Sequence, residues 1–187
     1  HTAYRRQRQM CIRDRPSTAL ISPGASAERT VVLASVDVVD TPVVASIVLV
    51  PAGCAPVDFE LTLPVTAAQF CVPHTLDVGA FFDEWRQMAP SAGLEAQLVL
   101  SIRPHGNDTA RYSATLAAAG FAVLPGIDVR SETLVAAAAL CTEHSRMLVL
   151  VRFEPSAAAC LARLTVRAAN GTAAQALLAL LAKPLAE

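Results

Sequence analysis

The stretch MLVLVRFEPSAAACLARLTVR, from Met147 to Arg167, constrains the fold more than any other part of the chain. It reads as two strands joined by the six residues Pro155 to Cys160. Successive strand side chains point to opposite faces, so residues two apart share one. Met147, Val149, Val151 and Phe153 then form an apolar face, with Arg152 and Glu154 on the other. On the second strand Leu164 and Val166 point one way, and Arg163, Thr165 and Arg167 the other. Antiparallel pairing gathers three arginines and a glutamate above an apolar floor. Only nine arginines and one lysine follow Pro16, so this is a concentration of charge. The same pattern also fits a solvated face of a half-buried sheet.

The chain has 187 residues, 53% of them hydrophobic, and a formal charge of −1. That is enough for one ordinary core, or two small subdomains sharing an interface. No run approaches the roughly 18 or more apolar residues of a membrane span, so a water-soluble chain is expected.

Residues 1–15, HTAYRRQRQMCIRDR, do not match the rest: they carry five arginines and one acid and have no apolar periodicity. RQMCIRDR resembles translated sequencing-adapter read-through, and the segment is expected to be disordered and dispensable. A basic nucleic-acid arm and a targeting peptide are the alternatives. Without these residues the basic count falls from 15 to 10 and the acidic count from 16 to 15, a charge of −5. Such a domain is a poor ligand for a phosphate backbone, so no nucleic-acid partner is expected.

Five separated cysteines with no CxxC pair (Cys11, Cys54, Cys71, Cys141, Cys160) make neither a zinc framework nor a disulfide-dense secreted module. Reduced thiols in the cytosol are expected. The sequons at Asn107 and Asn170 would matter only in a secreted protein, and read as chance.

From Thr30 to Leu63 the chain is strand-like: TVVLASVD, VVASIVLV and VDFELTL are β-branched runs separated by turn residues. Three short strands suggest a meander or part of a β-sandwich, too few to bury both of its sheets. After Pro64 the character changes. Asp77 is a candidate cap for a helix, VGAFFDEWRQM, with Phe81, Trp85 and Met88 on one stripe and Phe82 at its edge. Leu94 to Ile102 reads as a strand, Ala114 to Leu124 as a segment ending at Pro125-Gly126, and Glu132 to Leu140 as a short helix. The hairpin and a last helix from Ala173 to Leu181 follow. The fold class expected is α+β, with helices packed on an antiparallel sheet.

Groups for catalysis are scarce. His74, His105 and His144 are isolated and lack metal-ligand spacing, and nothing matches GxSxG, a P-loop or GxGxxG. Asp83 and Glu84 are adjacent on a helix and diverge. Glu154 among arginines should be ionised rather than poised as an acid. No enzyme, no metal and no cofactor are expected. Trp85, the only tryptophan, is either a core residue or, with arginine, a peptide-binding anchor.

LTLPVTAAQFCVPHTLDVGAFFDEWRQM resembles the start of the platform subdomain in the appendage of the α-adaptin family, large subunits of the plasma-membrane clathrin adaptor. The family pattern is LPxxxxKFxxP followed by FFxxW; this chain has Leu63-Pro64, Phe70, Pro73 and Phe81-Phe82-Asp83-Glu84-Trp85. GFAVLPGIDVRSETLVAAAAL resembles the family's glycine-aromatic strand, turn and short helix, and LVRFEP with RLTVR its LxRxEP hairpin. The resemblance spans roughly Thr30 to Leu185. Gln69 stands where lysine is usual, Cys71-Val72 replaces an aromatic or aliphatic pair, and DVRSE replaces an asparagine-proline turn.

This resemblance implies a partial immunoglobulin-like β-sandwich at residues 16–63, truncated at its N-terminus, then a platform at 64–187. It implies a non-enzymatic module that captures DPF, DPW and FxDxF motifs of endocytic accessory proteins. Its matching peptide-binding residues are Phe82, Trp85, Arg152, Glu154, Arg163 and Arg167, with Trp85 expected to be partly exposed beside Arg152 and Arg163. Other adaptor subunits would be reached through a missing trunk, and membrane only indirectly. The implied location is the cytosolic face of the plasma membrane, at clathrin-coated pits. The appendage of another adaptor or coatomer large subunit is the nearest alternative, and a small cytosolic enzyme the more distant one.

Overall fold

The computed structural model describes residues 11–12, 22, 33–35, 43–51, 53–89, 93–102 and 109–186. His105, Asn107 and most of residues 1–15 and of TVVLASVD lie outside the described residues. Within 1–15, Cys11–Ile12 (β1) pairs antiparallel with Leu33–Ala34 (β2). That short bridge departs, at those two residues, from the expectation of a segment without structure.

Val43–Leu49 (β3) and Val57–Leu63 (β4) form a two-stranded antiparallel ribbon within the strand-rich first section. Val44, Val48, Val57, Phe59 and Leu61 on it are exposed. A ribbon of two strands cannot bury an apolar face by itself.

The second half is built on one sheet. Its strands are Cys71–Pro73 (β5), Glu95–Ser101 (β6), Ala122–Val123 (β7), Leu134–Cys141 (β8), Arg146–Ser156 (β9) and Leu161–Ala168 (β10). The order is β5-β8-β9-β10-β6, with β7 also on β8, and every pairing is antiparallel. The helices are Val78–Gln87 (α1), Thr109–Ala118 (α2) and Gly171–Ala186 (α3). The α+β class read from the sequence is the class observed.

The β9–β10 hairpin follows the alternation read from the sequence. Val149, Val151, Phe153, Leu164 and Val166 are fully buried in one core with side chains of α2 and α3. On the other face Leu150 is buried with Phe81 of α1 and Met88 at its C-terminal cap, and with Val135 and Ala137 of β8. Helices therefore cover both faces of the sheet. The reading of Glu132 to Leu140 as a helix is corrected by the structure. Residues 134–141 are strand β8, sandwiched between the two cores, and Leu134 to Leu140 are all buried. A strand covered on both sides loses its polar alternation. Its close-packed layers favour small side chains, so LVAAAAL presents helix-forming alanines in a strand, and the ladder to β9 overrides their propensity.

The expected segment Ala114 to Leu124 divides into α2 and β7. Gly120 makes the break: Phe121 N–H donates to Leu116 O at 3.1 Å and Gly120 N–H to Ala117 O at 3.0 Å, the pairing of a Schellman cap. Gly120 has φ +84°, and a Cβ there would sit 2.6 Å from the carbonyl oxygen of Cys71. Gly120→Ala should therefore lower stability by about 1–3 kcal/mol, measured by thermal unfolding; an unchanged midpoint would refute the close approach. Burial pushes the Cys71 thiol up to about 12, with Cys141 adding to the effect, so it packs as a small apolar group.

Candidate peptide-binding groove

Helix α1 begins where the sequence places its cap: Asp77 Oδ1 accepts from Ala80 N–H at 2.8 Å. Phe81 faces the sheet and is fully buried, as is nearly all of Met88, while Phe82 and Trp85 at the stripe's edge are half-buried. Phe81 holds both rings: Phe82 edge-on and Trp85 stacked at 20°, each with centroids 5.5 Å away. The apolar stripe thus docks the helix by one ring and leaves two rings at its border.

The arginine on Trp85 is Arg167. Its guanidinium carbon lies 4.1 Å above the indole centroid, a cation–π contact worth about 1–2 kcal/mol when partly desolvated. Glu95 of β6 fixes that guanidinium, its Oε2 accepting from Nε at 2.7 Å and contacting Nη2 at 2.6 Å. Nη1 donates to the Trp85 backbone oxygen. With every nitrogen engaged and only 11% of its side chain exposed, Arg167 is packed against Trp85 rather than left as a free charge.

Arg152 and Arg163, expected beside Trp85, lie further along the face. The register sets Arg167 opposite Leu150, Thr165 opposite Arg152, and Arg163 opposite Glu154. Each row is two residues on, or roughly 7 Å. Arg152 points its fork at Asp128, donating to Oδ2 from Nε at 3.0 Å and Nη2 at 2.6 Å. Arg163 donates from Nε to Glu154 Oε2 at 2.7 Å, with Nη2 equally close. Arg163 keeps 49% of its side chain exposed, Arg152 29%. Beyond the Arg163–Glu154 pair an open cleft of about 790 Å³ extends between Arg130, Val99 and Leu161.

Charges in this groove are fixed in sign. The hydrogen bond from Arg163, helped by the charge of Arg152, holds the Glu154 carboxyl below the usual range despite its burial. That hydrogen bond with Glu154 in turn raises Arg163. Burial alone would raise Asp128, but the Arg130 N–H and the Arg152 guanidinium outweigh it and hold it low. All three groups are ionised at neutral pH.

Sequence reasoning did not find Glu95 or Asp128. Glu95 meets Arg167 across 72 positions and Asp128 meets Arg152 across 24, and only strand register and a loop's path bring them together. The sole trace was DVRSE, where an asparagine-proline turn would be usual.

The site is an aromatic helix edge set beside a charged hairpin face of an α+β domain. The sequence model of the family described as Alpha adaptin AP2, C-terminal domain, matches residues 69–185, more than half of the chain. The chain belongs to that family, a non-catalytic appendage of a clathrin adaptor. Among the described residues no helix is long and apolar enough to cross a membrane.

Proposed function

We propose that the groove between α1 and the β9–β10 hairpin captures short DPF, DPW or FxDxF-type motifs of endocytic accessory proteins during clathrin-mediated endocytosis. The observation that carries this reading is the half-buried Trp85, in contact with Phe81 and Arg167 and followed along the sheet by the half-exposed Arg163. Phe82 and Trp85 supply the surface for a ligand Phe or Trp ring, which would bury about 150–250 Å². Arg163 reads the ligand aspartate through a charge-assisted hydrogen bond. Arg167 shapes the aromatic wall, and Arg152 and Glu154 set the fork of Arg163. So small a contact should bind at about micromolar strength or weaker, and repeated motifs would add avidity.

The same reading divides the chain into a sandwich-like section at 16–63 and a platform at 64–187, with 1–15 dispensable. It places the module at coated pits on the cytosolic face of the plasma membrane, in contact with endocytic accessory proteins and with membrane only indirectly.

Calorimetric titration of the chain with a DPF-type peptide, and with the same peptide carrying alanine for aspartate, tests the reading. Arg163→Ala should weaken binding of the acidic peptide by about 1.5–3 kcal/mol. That loss should shrink at high ionic strength, where screening already weakens the pair. Equal binding of both peptides would refute the role of Arg163, and absence of binding by either would overturn the function.

A further inference from the structure

Asp128, largely buried, begins a chain of charges that ends at the surface offered to a ligand. Its side chain is 8% exposed and its Oδ2 takes both Nε and Nη2 of Arg152, at 3.0 and 2.6 Å. Arg152 Nη2 then lies 3.5 Å from Glu154 Oε1, and Glu154 Oε2 accepts from Arg163 Nε at 2.7 Å. The order is anion, cation, anion, cation, from the loop before β8 through β9 to β10. Its last member, Arg163, is the most exposed of the four, at 49% against 8% for Asp128.

The distances say how the chain is set. Arg152 has two carboxylates within reach and gives its bidentate edge to Asp128, leaving Glu154 only the longer contact. Glu154 is thereby left to hold the Nε edge of Arg163, which turns Nη1 away from that pair. Without the charge on Asp128 the nearest carboxylate to Arg152 is Glu154. A Glu154 drawn toward Arg152 loosens Arg163, and a long side chain that regains rotamer freedom must be ordered again by the ligand.

We infer that Asp128 is a positioning residue for ligand recognition, acting through Arg152 and Glu154 to pre-orient Arg163 toward a carboxylate on the bound peptide. This rests on the function proposed above.

Asp128→Asn is the informative variant. It removes the charge but retains an oxygen for the Arg130 N–H, which Asp128 Oδ1 accepts at 3.0 Å. In the 187-residue chain it should raise the Kd for a DPF-type peptide about five- to tenfold and leave the unfolding midpoint nearly unchanged. The loss should vanish in an Arg163→Ala background, and also with the peptide whose aspartate is alanine. A merely structural role would weaken both peptides alike and add to Arg163→Ala. Such additivity, or an Asp128→Asn chain that binds like the wild type, would overturn the inference while leaving the groove intact. If Asp128→Asn does not fold, Arg152→Lys serves instead. It keeps the charge but cannot fork between the two carboxylates, so it should show the same dependence on the peptide's acid, and the lack of that dependence would overturn the inference. A wild-type chain that binds neither peptide overturns both readings.

Discussion

Replacing Phe153 with alanine should lower the unfolding free energy by about 3–5 kcal/mol. Phe153 is fully buried on β9, opposite Leu134 of β8 and Leu164 of β10, and its ring lies 4.8 Å from that of Tyr112 on α2. It therefore joins three strands to a helix, and main-chain ladders on both sides prevent the backbone from closing the cavity. Both the transfer energy of the ring and the unfilled volume count against the variant. Denaturant titration followed by the fluorescence of Trp85, the only tryptophan in the chain, measures the loss. Because Trp85 belongs to the core on the opposite face, coincidence of its transition with that seen by circular dichroism also tests whether the two faces unfold together. A loss under about 1 kcal/mol would contradict the packing described here.

Trp85→Ala should cost peptide binding about 2 kcal/mol or more, roughly a thirtyfold rise in Kd, with little dependence on salt. The indole offers an apolar surface, and its removal deletes the anchor rather than a charge. Glu95 continues to hold Arg167 after the ring is gone, so the pocket loses one wall while the others stay. Phe81 stays buried beneath, and the helix keeps its cap at Asp77. The stability penalty should accordingly be smaller than that of Phe153→Ala. Retained affinity in a variant with an unchanged circular dichroism spectrum would remove the groove from consideration. A loss that grew at low salt would instead assign the effect to Arg167.

The two substitutions divide the molecule as its sequence does. Phe153 and its neighbours were legible because a half-buried hairpin must alternate, and Arg152, Glu154, Arg163 and Arg167 declared themselves by falling on the wrong side of that alternation for a core. The stripe of Phe81, Trp85 and Met88 was equally plain, as was its cap. Where the alternation was absent, reading failed. β8 is buried on both faces, so nothing in LVAAAAL distinguishes a strand between two helical layers from a short helix. The pattern reports burial, and for short runs of small residues burial is compatible with either geometry.

The roles of the arginines were a tertiary matter. Strand alternation placed three of them on one surface, and the family resemblance implied ligand-binding roles for them. The register of β10 against β6 gives Arg167 to Glu95 and lays it over Trp85, and the path of the loop before β8 gives Arg152 to Asp128. Arg163 keeps the largest exposure of the three. Local chemistry, through side-chain alternation, helix period and capping, determined which residues share a face. Which of those charges are spent inside the protein and which are left for a partner depended on contacts between positions 24 and 72 residues apart. Periodicity carries no information at that separation, because only the folded register decides which opposite charge comes within a few ångströms.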